Sequence, residues 1–134
     1  MTLQRLYLPI DGDDLDHLLA EGSLAAGALA YGVSPAFAAA TPRADEEERE
    51  YLAFLDAVAA GAERAGPVRR VAILAIDLPE SEMAWPASGT ATTIERPVLR
   101  REAVSLHIGE EPGPEADLLW YDITEAAHVT GLLT

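Results

Sequence analysis

The sequence contains no cysteine, no lysine and no asparagine, and its nine basic residues are all arginine. Without cysteine the chain cannot form a disulfide, supply a thiolate nucleophile or bind a metal through sulfur. Because this absence is compatible with a reducing compartment, we expect a cytoplasmic protein. The lack of lysine and the abundance of alanine are typical of a GC-rich genome and indicate no mechanism.

Positive charge is scarce. The 23 acidic residues outnumber the 9 basic ones and give a net charge of -14. Such a field repels nucleic-acid phosphates and anionic lipid surfaces, so we expect no direct binding to nucleic acid and none to membranes. A protein partner with a basic surface fits this charge better, and imitation of a nucleic acid is an alternative. Many acidic domains are simply soluble, which is the plainest interpretation.

Long apolar segments are also missing. The start, MTLQRLYLP, lacks the apolar stretch of a signal peptide, and no run approaches the roughly 18 residues of a transmembrane helix. A chain of 134 residues with 49% hydrophobic residues matches one globular domain over residues 1–134. Composition does not indicate its oligomeric state.

The most informative stretch that is present is RRVAILAIDLP, in which residues 71–76 are all apolar. A continuous apolar run of this length predicts a central strand covered on both faces. Pro79 should end its pairing because proline cannot donate a ladder hydrogen bond. Asp77, at the exit of the strand, is a catalytic candidate, although capping the next turn is the commoner role of such a residue.

Two elements precede this strand. Leu6, Leu8 and Ile10 alternate with other residues, which predicts a first strand that pairs beside the central one. Residues 11–14 supply carboxylates suited to a helix start, and Gly22 is suited to the helix end.

The acidic helix start also suggests a metal site, since Asp13 and His17 lie four residues apart on one helical face. The spacing of a calcium loop fails, because its sixth position would be Asp16 and its twelfth Gly22. Capping explains the acids better. We therefore predict neither a metal site nor a cofactor.

Residues 31–37 show an alternating apolar pattern around Ser34 and Pro35, carried by Tyr31, Val33 and Phe37. This pattern is consistent with a second strand at a sheet edge.

A long helix should follow, with Thr41 as its N-cap and Pro42 at its first position. Its apolar stripe is predicted to contain Tyr51, Leu52, Leu55, Val58, Ala59 and Ala62, and to pack on the sheet. The acidic run 45–50 could form a docking surface, but a solvated helix start explains it more simply.

The second half contains further candidate residues. Residues 80–93 have the composition of a loop, in which Trp85 covers a core edge or, less commonly, lines a ligand pocket. Residues 103–108 alternate like a strand, which directs His107 away from Leu106 and Ile108. A lone histidine is more often a surface residue than a base, so His107 is a catalytic candidate with a plainer alternative.

The segment DLLWYDITE can be read as a strand or as a helix. We predict a strand through Trp120 and Tyr121 that leads into a short helical tail containing His128. Both aromatic residues, like Trp85, are candidates for ligand binding.

Together these elements predict an α+β fold: a two-layer sandwich with a mixed four- to five-stranded sheet packed against two helices. The chain contains no glycine-rich phosphate loop, nucleophile elbow or HExxH pattern. We therefore favour a non-catalytic binding or regulatory module. The alternatives are an acidic nucleic-acid mimic and a small-molecule enzyme in which Asp77 and His107 meet Trp120 and Tyr121 in a cleft.

Six motifs in order resemble a family of small, uncharacterised actinobacterial proteins of unknown function: RLYLP, YGVSPAF, DEEEREYLAFLDAV, RRVAILAIDLPE, EAVSLHIGEE and DLLWYDITE. The resemblance covers most of the chain and implies an actinobacterial host and a cytoplasmic protein, but no reaction. In that family a longer acidic insert, and often a histidine, precedes the LLWY element. Here the insert is reduced to residues 109–116, and residues 115–117 contain no histidine, so no role of that histidine can be transferred.

Overall fold

The computed structural model describes residues 2–133, which form eight strands and four α-helices. In chain order these elements are β1 (Leu3–Pro9), α1 (Gly12–Glu21), β2 (Ser23–Leu24), β3 (Ala28–Gly32), α2 (Pro35–Ala40), α3 (Glu46–Ala65), β4 (Ala72–Pro79), β5 (Ala91–Ile94), β6 (Val98–Leu99), β7 (Ala103–Gly109), β8 (Leu118–Asp122) and α4 (Ala126–Val129). Short 3-10 turns cover residues 80–82, 100–102, 123–125 and 130–133.

The main sheet has six strands in the order β5-β3-β1-β4-β7-β8, and β2 and β6 form a separate two-stranded sheet. Every pair of neighbouring strands is antiparallel. The α+β class is confirmed, whereas the prediction of a mixed four- to five-stranded sheet differs in both strand number and direction. One additional strand, β5, begins inside the stretch predicted as a loop, and apolar patterning does not encode strand direction.

The central strand is β4, which lies between β1 and β7 as predicted for the apolar run 71–76. Leu74 and Ile76 belong to the core on one face of the sheet, and Ile73 belongs to the core on the other. Pairing ends at Pro79 as predicted, with Pro79 opposite Leu3, and Asp77 lies two residues before this end. Proline is tolerated there because it is the last residue of the strand.

On one face of the sheet the core is covered by α1, α4 and the two-stranded sheet. Leu15 and Leu18 of α1 are fully buried against Leu6 and Leu8 of β1. The helix begins where the acidic residues predicted it, because the Asp11 carboxylate accepts a hydrogen bond from the Asp14 amide at 2.8 Å. It ends at Gly22, whose φ of 79° is the left-handed conformation that favours glycine.

The opposite face is covered by α3, so helices lie on both sides of the sheet and the two-layer prediction is only roughly consistent with the structure. The residues that α3 buries are small: Ala53, Ala57 and Gly61. The predicted stripe is therefore right only in part, because Val58 and Ala62 pack against the core on this face. Tyr51, Leu52 and Leu55 are exposed. Small residues let the helix backbone lie close to the sheet, and this orientation turns the large apolar side chains toward solvent.

Two boundaries before α3 also differ from the predictions. The strand β3 stops at Gly32, and Ser34 caps α2 by accepting a hydrogen bond from the Phe37 amide at 2.9 Å, so Phe37 is helical. Thr41 does not begin α3. Its hydroxyl donates to the Phe37 carbonyl at 2.8 Å and closes α2, while Asp45 is the N-cap of α3.

Gly32 occupies the tightest contact between β3 and the core. A Cβ atom at this position would lie 2.6 Å from Leu6 Cδ2 and 3.0 Å from both the Arg5 carbonyl oxygen and the Trp85 ring. We therefore expect Gly32→Ala to lower the free energy of unfolding by about 1–3 kcal/mol, measured by urea denaturation.

Gly131→Ala is the matched control, because a Cβ atom at Gly131 would meet nothing within 4 Å. This control should stay within about 0.5 kcal/mol of the parent protein. Equal stability of the Gly32→Ala protein and the parent would contradict the close approach.

Candidate functional site

The structure divides the five candidate residues between the two faces of the main sheet. Asp77, His107 and Trp120 lie on the face that α3 covers, since His107 is opposite Ile73 in β4 and opposite Trp120 in β8. Trp85 and Tyr121 pack against the core on the α1 side. The predicted grouping of Asp77, His107, Trp120 and Tyr121 in one cleft therefore loses Tyr121.

Asp77 is held by an arginine. Its two carboxylate oxygens accept hydrogen bonds from Arg5 Nε at 2.6 Å and Arg5 Nη2 at 3.2 Å, across the β1–β4 pair. His107 is opposite Ile73, which lies four residues before Asp77 in β4. Four residues along a strand span about 13 Å. The two catalytic candidates thus share a face, but the carboxylate interacts with Arg5.

Trp85 has the role that is commoner for a loop tryptophan. Its ring lies over Gly32 at the edge of the core, because a Cβ atom there would come within 3.0 Å of the ring. Tyr121 is half-buried on the same side of the sheet. Both rings contribute to core packing in this fold.

His107 lies in a groove between the first half of α3 and the surface of β7 and β8, which we call the α3–β8 groove. The volume of this groove is about 490 Å³. Its lining includes both rings and carboxylates: Tyr7, Glu47, Glu50, Tyr51, Phe54 and Asp117. The mixture of aromatic surface and negative charge suits a ligand that carries both apolar and positively charged groups.

The floor of the groove is formed by three aromatic rings that pack edge to face. The centroid of Phe54 lies 5.2 Å from that of Tyr7 and 4.9 Å from that of His107, both in edge-to-face orientation. Burial lowers the pKa of His107, and the positive charge of Arg5 lowers it further. Burial also raises the pKa of Tyr7, with a contribution from the negative charge of Glu50. At neutral pH the floor is therefore uncharged, and the charge of the groove is carried by its carboxylates.

The groove borders β8, which contributes Leu118 to its lining and is the last strand of the main sheet. Among residues 2–133, β8 pairs with β7 alone. Trp120 is 61% exposed and Leu119 is 43% exposed, although both lie within this strand. An edge strand with exposed large side chains is a ready template for pairing with another chain.

Sequence reasoning missed the contribution of α3 to this site. Tyr51 is 59% exposed and Leu55 is 41% exposed, and both line the α3–β8 groove. The helical repeat assigned them to the core. The signal that would have found them is the second repeat on the same helix, Ala53, Ala57 and Gly61, whose small size permits close packing.

A metal-binding cluster and a membrane-spanning helix are both absent from residues 2–133. Across residues 2–133, no three histidine or carboxylate side chains are placed to hold a metal ion together. Of the helices that the structure describes, none combines the length and apolarity needed to cross a bilayer.

A protein-family model matches residues 4–116, which is most of the chain. The chain belongs to DUF6912, a family of unknown function. This confirms the resemblance to an uncharacterised family, whereas the actinobacterial source stays a prediction. The DUF6912 match includes β1 to β7 and the α3 side of the groove, but ends before β8. No curated protein and no solved structure matches the chain.

His107 should make stability depend on pH. Its pKa in the folded protein lies below its pKa in the unfolded chain, so in the interval between these values the unfolded chain binds more protons. Protonation therefore favours unfolding as the pH falls from about 7 toward about 5, by at most about 1.4 kcal/mol per pH unit for one proton. Urea denaturation across this range should show a flatter pH dependence in His107→Gln than in the parent protein.

The matched control is His128→Gln, which removes an exposed histidine from α4. If the two variants flatten the pH dependence equally, burial of His107 is not the cause.

Proposed function

We propose that this protein is a non-catalytic binding module that docks an extended, basic segment of a partner protein. The segment lies along the α3–β8 groove and pairs with the open edge of β8. The observation that carries this proposal is the 61% exposed Trp120 on an edge strand beside a groove lined with carboxylates.

Exposed apolar side chains supply the anchors. Tyr51 and Leu55 lie one helical turn apart on α3 and line the groove. Trp120 lies beside the groove, opposite His107 in the β7–β8 pair. Tryptophan and tyrosine dominate the energy of protein interfaces because they bury large surfaces with little loss of conformational freedom. These three side chains could therefore hold apolar residues of a bound segment.

The backbone of β8 supplies direction. A strand with one unpaired edge can accept an extended peptide as a further strand, in which main-chain hydrogen bonds provide affinity and alternate side chains provide specificity. Side chains of the added strand that point toward α3 would lie beside Trp120 and the groove. Those that point the other way would meet Leu119 and Tyr121.

Charge selects the kind of segment. Glu47, Glu50 and Asp117 line the groove, and the chain as a whole carries a net charge of -14. Arginine or lysine side chains of a partner would be drawn to this surface, and an acidic partner would be repelled. The resulting complex should weaken as salt is added.

The enzyme alternative has less support. A general base needs a partner group or a substrate within hydrogen-bond reach, and Arg5 already engages both oxygens of Asp77. The ring of His107 packs against the ring of Phe54 instead of pairing with a carboxylate. A binding role uses the apolar and acidic surface of the groove, whereas a catalytic role uses only His107.

The proposal is tested with a short peptide in which arginine and valine alternate. We expect this peptide to bind, and the same peptide with glutamate in place of arginine not to bind. Trp120→Ala and Glu50→Gln should each weaken binding about tenfold, measured by calorimetry. Amide hydrogen exchange in residues 118–122 should slow in the complex, since a new strand protects the edge.

Two substitutions outside the groove provide controls. Val68→Ala shortens an apolar side chain that is 80% exposed, and Glu95→Gln removes one exposed carboxylate. Both should leave affinity unchanged. Equal binding of the arginine and glutamate peptides, or unchanged exchange in residues 118–122, would contradict the proposal.

A further inference from the structure

A second and larger concavity lies between α1 and the last turns of α3. We call it the α1–α3 cleft. Its volume is about 730 Å³, within the range of about 300–1,000 Å³ that is typical of small-molecule sites. The α1–α3 cleft shares no lining residue with the α3–β8 groove.

Small residues create the space. The connection between β2 and β3, together with the first residue of β3, contributes a wall of alanine and glycine, residues 25–28. Ala60 of α3 also lines the cleft. Gly27 has a φ of 99°, and its amide donates to the Ile94 carbonyl at 2.7 Å, so this connection is fixed to β5. The cleft is therefore formed before any ligand binds.

The floor of the cleft is apolar, with Leu8, Ile10 and Leu24 among its lining residues. These three side chains are almost completely buried in the main core, so most of the apolar surface open to a ligand belongs to Leu29, which is 47% exposed and also lines the cleft. A hydrocarbon group that entered the cleft would contact this apolar surface and gain free energy by leaving water. The ligand class therefore includes an apolar part.

The arginine of the cleft is not available to an anion. Arg64 donates to Asp11 at 2.8 Å, to Asp14 at 2.6 Å and to the Pro9 carbonyl at 3.1 Å, and these contacts link the end of α3 to the start of α1. Its charge is thus already balanced by two carboxylates. The second carboxylate of the cleft is Glu63, and it has no ion-pair partner among residues 2–133.

An aromatic ring lies close to this carboxylate. Tyr31 is half-buried and lines the cleft. Burial raises its pKa, and the negative charges of Asp56 and Glu63 raise it further. Tyr31 and Glu63 line the same cleft. A neutral phenol ring beside a carboxylate is a favourable environment for a cation, which interacts with the face of the ring and with the charge.

We propose that the α1–α3 cleft binds a small organic cation: an amine or ammonium group between Glu63 and Tyr31, with its hydrocarbon part against Leu29 and the apolar floor. An acidic, ring-bearing mouth over an apolar floor matches both halves of such a molecule. This site is separate from the proposed peptide-binding surface and does not depend on it.

Hexylammonium is the test probe, with hexanol and hexanoate as neutral and anionic counterparts of the same length. In NMR titrations we expect hexylammonium to shift the signals of Tyr31, Ala60 and Leu24 saturably, and hexanoate to leave them unchanged. Hexanol should bind at least about tenfold more weakly than hexylammonium, because it lacks the charge.

Variants locate the site. Glu63→Gln should weaken hexylammonium binding about tenfold, and Ala60→Leu should abolish it by filling the cleft. Glu115→Gln, which removes an exposed carboxylate elsewhere, should bind like the parent protein. If Ala60→Leu fails to fold, Glu63→Gln still tests the proposal, because Glu63 is exposed on α3.

Three results would overturn the proposal. They are equal affinity for hexylammonium and hexanoate, equal weakening by Glu63→Gln and Glu115→Gln, and shifts scattered over the acidic surface rather than in the cleft. Loss of peptide binding at the α3–β8 groove would have no bearing on this test, since the two sites share no lining residue.

Discussion

The rest of the structure depends on the burial of β4 from both sides. Leu74 and Ile76 face the large aliphatic core under α1, whereas Ile73 faces the alanine and glycine surface of α3. A sheet covered in this way cannot leave either helix layer out without exposing the central strand. Because the α3 side is packed with small residues, the helix lies close to the sheet, and its larger apolar side chains, Tyr51 and Leu55, remain outside. The core packing therefore creates the surface that we propose as a docking site.

The distribution of charge follows from the small number of basic residues. Arg5 is paired with Asp77, Arg64 with Asp11 and Asp14, and Arg96 with Glu102. Arginines used in these links between elements neutralise nearby carboxylates, and with only 9 basic residues against 23 acidic ones few remain to balance the others. Partly exposed ion pairs contribute little stability, about 0–1 kcal/mol each, so their clearest effect is positional. The unbalanced carboxylates, including Glu50 and Glu63, therefore give the α3–β8 groove and the α1–α3 cleft their negative charge.

Sequence patterns predicted those parts of the fold that depend on local chemistry. The apolar run of the central strand, the acidic start of α1 and its end at Gly22 all follow from rules that act within a few residues. The orientation of α3 does not follow, because its large apolar residues and its alanines both repeat at helical spacing. Which repeat is buried depends on how closely the helix can approach β4. The same limit applies to Thr41, a good N-cap by type that instead closes α2 through the Phe37 carbonyl.

The candidate site was predictable in part for the same reason. Strand alternation correctly directed His107 away from Leu106 and Ile108, and cross-strand pairing then placed it beside Trp120. The partner of Asp77 could not be predicted, because Arg5 lies 72 residues away in sequence. That one contact decides which groups the face presents, because Arg5 engages both oxygens of the Asp77 carboxylate. What stays open to solvent on this face is aromatic surface, an unpaired strand edge and unbalanced carboxylates, and the proposed docking of a basic segment rests on these three features.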